Sequence, residues 1–208
     1  RGTTKGKNVI QRWMRNPNMR YFVKLDVRKC FESIDHDKLT NFLRRHIKND
    51  LLLRLVELLI NSFEQGLSIG SYLSQYLCNA YMSIIYHQIK ERMYKIRRGT
   101  RTNLVRRCLI YMDDILMIGS RKRDLEKAIK LVSTTAKDMG LTIKPNYQVY
   151  TVDGYCVDML GYRVYRTHTE IRKAIFIRAR RAYKKFRKNP TTKAARKCIS
   201  YYGYLKHS

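Results

Sequence analysis

Two hydrophobic periods share this chain. Residues 21–25 form a short apolar run that ends on Asp26 and reads as a strand. Beyond it, apolar side chains recur every three or four positions, the spacing of a helix that turns one face to a core. Asp35 stands where a helix cap is expected, and Leu39, Phe42, Leu43 and Ile47 follow on one face. A second helix runs through Leu52, Leu55, Val56, Leu59, Ile60 and Phe63, and residues 66–70 read as a turn. From Ser74 a long helix carries Leu77, Ala80, Tyr81, Ile84, Ile85, Ile89 and Met93 inward. The stretch RRCLIYMDDILMIGS then has two apolar strand arms around a turn at residues 111–114. Leu125, Ala128, Ile129, Val132, Ala136 and Met139 stripe another helix, stopped by Gly140, and residues 147–165 alternate as a small antiparallel unit broken at Gly154 and Gly161. Strand, helices, hairpin, helix and meander in this order make an α+β fold.

The turn poses a chemical question, because Asp113 and Asp114 interrupt an otherwise apolar run. Buried carboxylates are costly unless a cation meets them. Either the pair sits at an exposed turn, where Asp is common, or it holds metal. Asp26 bears on the choice. If the strand ending on Asp26 pairs with the hairpin, its carboxylate converges with those of Asp113 and Asp114, and oxygen ligands of that kind suit Mg²⁺ held together with substrate phosphates. Two such ions activate an attacking hydroxyl and stabilise a leaving pyrophosphate.

Charge points to the partner. The 208 residues carry 44 Lys plus Arg against 16 Asp plus Glu, a net charge of +28. That excess calls for a polyanion, and nucleic acid fits better than a membrane surface, since no run approaches about 20 apolar residues. No signal peptide pattern opens the chain. Half of the excess lies in residues 163–208, where fifteen Lys or Arg face the single acid Glu170. There Ile175, Ala179, Ala182 and Phe186, then Ala195, Ile199 and Tyr202 after Asn189 and Pro190, keep helical spacing among the charges. Two amphipathic helices with basic outer faces would meet a phosphate backbone, with Arg178, Arg181 and Lys185 as the nucleic-acid contacts. The five scattered cysteines form no CxxC pair, so neither a disulfide framework nor a zinc site is indicated, and a reducing cytoplasm suits them. The five histidines show no ligand spacing.

These segments, in their order, resemble the palm of a reverse transcriptase. KLDVRKCFESID resembles the family's first metal-binding motif, GLSIGSYLSQYLCNAYM its second, YMDD its third, GLTIKPN its fourth and MLGYRV its primer-grip turn. The resemblance implies a right-hand palm with an antiparallel sheet flanked by helices, partial fingers and the start of a helical thumb. By position, residues 1–20 would be a remnant of the fingers, 21–166 the palm with fingers helices at 36–65, and 167–208 the basic thumb portion. RNA-directed DNA synthesis is the implied activity, with an RNA template, a DNA or RNA primer, dNTPs, two Mg²⁺ ions with Mn²⁺ as the alternative, and room for a basic accessory protein. No membrane partner is implied.

The family's roles carry over residue by residue. Asp26, Asp113 and Asp114 would hold the metals, with the Val27 carbonyl completing their shell. Phe31 would pack under the sugar and exclude a 2′-hydroxyl; without the motif it would be an ordinary core aromatic. Lys144 would give a proton to pyrophosphate or simply contact phosphate. Ile69, Gly70 and Gln75 would border the nucleotide, and Gly161 and Tyr162 would support the primer, unless they make only a tight turn.

One departure narrows the subfamily. Many relatives from bacterial introns have Gln-Gly in the second motif and Pro after its serine, where this chain has Ile69-Gly70 and Ser74-Gln75. The aliphatic residue with the Ser-Gln pair resembles the diversity-generating retroelements, prokaryotic or phage-encoded, whose enzymes copy RNA with errors at adenines. The chain opens on RGTTKG, which resembles the segment just before the first motif, so the family's earlier fingers strands would lie outside it. An RNA-copying RNA polymerase and a catalytically inactive nucleic-acid-binding palm are the competing readings; Phe31 opposes the first and the three aspartates the second.

Overall fold

The computed structural model describes residues 2–206. They fall into two compact units: Tyr21–Val149 is one, and the residues up to Arg20 together with those from Tyr150 onward are the other. The elements in chain order are α1 (Thr3–Arg15), β1 (Tyr21–Asp26), α2 (His36–His46), α3 (Asp50–Asn61), α4 (Tyr72–Arg92), β2 (Tyr94–Arg97), β3 (Thr100–Asn103), β4 (Arg107–Tyr111) and β5 (Asp114–Gly119). After these come α5 (Lys122–Asp138), β6 (Val149–Thr151), β7 (Val157–Met159), β8 (Tyr162–Val164), β9 (Thr169–Ile171), α6 (Lys173–Lys188) and α7 (Thr192–Leu205). Mixed helices and antiparallel sheets make this the α+β class expected.

In the Tyr21–Val149 unit, β4, β5 and β1 lie side by side, antiparallel, with β5 in the middle. Strand β5 is central because nearly all of it is apolar: Ile115, Leu116, Met117 and Ile118 are fully buried. Helices α4 and α5 pack on this sheet, and Leu77, Tyr81, Ile85 and Ile89 of α4 share one core with Leu125, Ala128, Val132 and Ala136 of α5. Burying each such side chain contributes roughly 1.5–3 kcal/mol, so the sheet end that carries the aspartates rests on a rigid layer. The Asp35 side chain caps α2 by accepting from Lys38 N at 2.9 Å, and Asn49 caps α3 by accepting from Leu52 N at 3.0 Å. Gly66 has φ +63, and a Cβ there would run into the Phe31 carbonyl. Its glycine lets the turn before α4 lie against the segment after β1, where Leu67 N donates to Phe31 O at 2.8 Å.

In the other unit, β7, β8 and β9 form a three-stranded antiparallel sheet. Helix α1 packs on β8, and α6 packs along α7.

Several features differ from the sequence expectation, among them the β2–β3 hairpin, in a stretch given no element. Helix α1 forms in a stretch given no element, since its cations obscure a small buried face of Lys7, Ile10 and Met14. The meander runs later, through β9, because residues 152–156 form a turn rather than pairing. On α3 only Val56 and Ile60 are buried, and Leu51, Leu52, Leu55, Leu58 and Leu59 stay exposed.

Candidate active site

Register brings the aspartates together. Strand β1 pairs with β5 from Tyr21↔Gly119 to Asp26↔Asp114, so two carboxylates 88 positions apart in sequence end directly opposite one another. Tyr111 pairs with Asp114 across β4 and β5, which leaves Met112 and Asp113 as the two-residue turn. Met112 takes φ +53, a left-handed conformation suited to so tight a hairpin. Val27 N donates to Asp113 O at 3.0 Å and Lys144 N to Asp26 O at 2.8 Å, fixing the turn, the end of β1 and the residue-144 loop to each other.

Two ammonium groups meet these carboxylates. Lys144 Nζ lies 2.5 Å from Asp26 Oδ1, and Lys24 Nζ lies 2.8 Å from Asp114 Oδ1. In the first, the Lys144 ammonium compensates a buried Asp26 oxygen outside hydrogen-bond angles. Burial pushes the Asp114 carboxyl above its ordinary value despite the Lys24 hydrogen bond, and the charges of Asp113 and Asp26 push the same way. The Asp26 carboxylate beside Lys144 holds that ammonium above its ordinary range. Below the turn, Cys30 Sγ and Cys78 Sγ are buried 3.5 Å apart. The hydrogen bond with Cys78, burial, and the Asp113 and Asp26 charges all push the Cys30 thiol up, keeping it neutral.

Three carboxylates are hard oxygen donors of the kind that suits a divalent cation. Among the described residues, no group of three or more His, Cys, Asp or Glu is placed to hold a metal ion. The lysines lie on the carboxylates instead.

The remaining predicted residues of this unit lie after β1 and at the start of α4. Phe31 is half-buried against the core. Ile69, 75% exposed, stands with Gly70 in the turn before α4, and Gln75 is half-buried in the first turn of that helix.

A model of the family described as reverse transcriptase (RNA-dependent DNA polymerase) matches residues 1–164. The chain belongs to the reverse transcriptase family. No curated protein matches it in sequence. Among solved structures, this reverse transcriptase chain is similar to the telomerase of Candida tropicalis in complex with the TWJ fragment of telomeric RNA. The TM-score is 0.65 at 12% identity, over 98% of this chain and 41% of that one. The apo Candida tropicalis telomerase gives 0.62 at 12% identity over 85% and 37%. Telomerase of Candida albicans, also with the TWJ fragment, gives 0.62 at 11% over 82% and 33%. At such identities the likeness is one of fold, and the chain spans roughly two-fifths or less of those telomerases.

The other unit of the reverse transcriptase chain holds the remaining predicted residues. Leu160 and Gly161, with φ +60 and +87, turn β7 into β8. A Cβ on Gly161 would lie 2.7 Å from Tyr204 Cε1 and 2.9 Å from Ile175 Cδ1, so glycine is needed for close packing. Tyr162 is buried against Tyr204, ring centroids 5.6 Å apart. Arg178, Arg181 and Lys185 do come together: with Lys193, Lys197 and Tyr201 they line a cleft of about 490 Å³ between α6 and α7.

Two residues near the carboxylates were missed. Lys24 lies two positions before Asp26 on β1 and so on the same face, a signal available from strand alternation. Asn79 Oδ1 accepts from Met112 N at 3.3 Å, tying α4 to the turn. Its sequence signal is a lone amide among apolar neighbours, which says nothing of a partner 33 positions away.

Proposed function

We propose that this chain performs RNA-directed DNA synthesis at the end of β1 and the turn between β4 and β5. The observation that carries the reading is the pairing of Asp26 with Asp114, next to Asp113, in a chain of the reverse transcriptase family. Asp26, Asp113, Asp114 and the Val27 carbonyl would hold two Mg²⁺ ions, or Mn²⁺, which when bound supply Lewis-acid charge for the attacking hydroxyl and the leaving pyrophosphate. The raised Asp114 carboxyl supports this, since a cation beside it would compensate the burial of its charge.

The chain's own residues do the rest. The Asp26 carboxylate beside it holds the Lys144 ammonium above its ordinary range, and Nζ would contact the pyrophosphate and deliver its proton there. Lys24 holds Asp114 in place, and Asn79 holds the turn through Met112 N. Phe31, anchored by the core on one side, would set its ring against the sugar and exclude a 2′-hydroxyl. Residues 21–166 act as palm with fingers helices at 36–65, and 167–208 as thumb. Arg178, Arg181 and Lys185 meet phosphates of the RNA template and its primer, and Gly161 and Tyr162 support the primer through the turn they build. The telomeric RNA in two of the similar structures supports an RNA partner. The compartment is the cytoplasm of a prokaryote or phage host, with room for a basic accessory protein.

Within the family, the diversity-generating subfamily fits best. Ile69 is too exposed to be a core residue, and an aliphatic group beside the nucleotide cannot reward correct base-pair geometry with a hydrogen bond. Errors at template adenines are the expected result.

Primer extension on a defined RNA template with dNTPs or rNTPs tests the reading. Asp113→Asn should abolish extension and retain RNA binding, and dNTPs should be preferred. Extension near wild type in that variant would sink the site, and preference for rNTPs would turn the assignment to an RNA polymerase.

A further inference from the structure

Between Glu91 and Asp113 the chain has seven Lys or Arg and no acid. Most of them stand on a feature that the catalytic reading does not use, the hairpin of β2 and β3. This two-stranded sheet pairs with no other strand, and β2 is exposed throughout. Arg98 and Gly99, with φ +49 and +73, form its two-residue turn. Leu104 N donates to Met93 O at 2.8 Å and closes its base.

Register sorts the side chains onto two faces. Tyr94 pairs with Asn103 and Ile96 with Arg101 on one face; Lys95 pairs with Thr102 and Arg97 with Thr100 on the other. The first face is tied down at its base. The Arg101 guanidinium sits 4.0 Å from the centre of the Tyr94 ring, and its Nη2 donates to Lys90 O at 2.7 Å at the end of α4. Lys95, Arg97 and the tip residue Arg98 carry no ion pair with a carboxylate among the described residues. Their face therefore offers two cations and two threonine hydroxyls, with a third cation, Arg98, at the tip, on a frame held at one end.

We propose that this face of the β2–β3 hairpin is a second nucleic-acid contact, which grips the sugar-phosphate backbone of a double helix. The proposal rests on the reverse transcriptase reading for the identity of that helix, an RNA-containing duplex. Charge selects a polyanion. The duplex is selected by what the face lacks: recognition of unpaired RNA relies on bases stacking on aromatic rings, and the one aromatic ring of the hairpin, Tyr94, is on the opposite face beneath Arg101. Lys, Arg and Thr without a stacking ring contact phosphates and sugars, which fix position and carry no sequence information. A two-stranded ribbon can also lie on the wide, shallow minor groove of an A-form helix, where phosphates and 2′-hydroxyls are reached. The hairpin's base meets the far end of β4 from the carboxylate turn, about 14 Å away along the strand, so it would touch helix outside the centre of chemistry.

The test is binding without catalysis. A labelled RNA–DNA hybrid and a single-stranded RNA of the same length are titrated with the protein over a series of salt concentrations. The Lys95→Gln/Arg97→Gln/Arg98→Gln variant should bind the hybrid at least about tenfold more weakly, with the slope of log K against log salt reduced by about two to three. Single-stranded RNA should lose less. A control with the same charge loss, Arg123→Gln/Lys127→Gln/Lys130→Gln on the exposed face of α5, should leave the hybrid slope nearly intact. An unchanged slope in the hairpin variant, an equal fall in the control, or a larger loss on single-stranded RNA would each overturn the proposal. None of these outcomes depends on extension, so they stand apart from the fate of the Asp113→Asn test.

Discussion

At the β4–β5 turn three carboxylates stand crowded at the edge of a dry core, and two of them are met by lysines. On α6 and α7 eight and three Lys or Arg spread over exposed surface with no acid between them. Like charges are assembled in both regions, with different consequences. Near the core the effective dielectric is low and neighbours are close, so one charge alters the protonation of the next, as Asp114 shows. On the helices each cation is wrapped in water and screened within about 10 Å at ordinary salt. The turn is therefore built for an all-or-none local event, and the helices for a graded attraction that sums many weak contacts.

The largest expected effect tests the turn. Asp26→Asn keeps shape and removes one charge, and extension should fall at least a hundredfold, roughly what loss of one preorganised electrostatic contact costs. Template binding should stay within a few-fold of wild type. If binding collapsed in step with extension, the turn would be acting like the helices and the contrast would be lost.

The second effect tests the helices. Arg178→Gln/Arg181→Gln/Lys185→Gln removes three of the cations lining the 490 Å³ cleft. The salt slope of nucleic-acid binding should drop by about two to three, and extension at low salt should survive. Complete loss of extension at low salt, with the fold intact, would assign these residues to chemistry instead.

How much of this could be read from sequence differs between the same two regions. The aspartates were legible because a strand ending on Asp26 and an apolar hairpin interrupted by Asp113 and Asp114 are strong local signals. Their registration followed once the strands were paired. Alternation puts Lys24 on the face of Asp26, but its partner Asp114, like the Met112 partner of Asn79, depends on which atoms register brings opposite. The basic helices were legible as helices, yet not in the direction of their apolar stripe. Ile199 and Tyr202 stay exposed and, with Phe176, Tyr183 and Leu205, line an apolar groove of about 510 Å³. Periodicity says that a face exists and does not say what covers it. Helix α1 and the β2–β3 hairpin escaped because cations dilute the hydrophobic period in both.

A third, smaller effect concerns the turn before α4, which carries Ile69. Ile69→Gln places an amide where the aliphatic side chain now stands exposed. A net hydrogen bond of about 0.5–1.5 kcal/mol corresponds to a several-fold change, so misincorporation opposite template adenines should fall several-fold while total extension persists. Equal and low error frequencies at adenines in both proteins would remove the diversity-generating assignment and leave the family reading untouched.

The smallest effect reads burial and crowding at Asp114 together. Burial and the neighbouring Asp113 and Asp26 raise the Asp114 carboxyl above its ordinary value of 3.8 in the folded chain, against the opposing pull of Lys24. The folded state therefore holds this proton more tightly than the unfolded one. As pH rises from below 3.8, the unfolded chain releases the proton first, and folding stability is lost until the folded carboxyl has ionised as well. Above that point the loss is constant. In Asp114→Asn the loss is absent, so the stability of the variant relative to wild type should improve with rising pH across the carboxylate range and then level off. The variant lacks the Asp114–Lys24 ion pair at every pH of the series, which adds an offset. Denaturant unfolding of both proteins in metal-free buffer at several pH values reads the difference directly. A flat difference would mean that Asp114 ionises as a water-exposed carboxylate does, and the turn would then handle charge no differently from the helices.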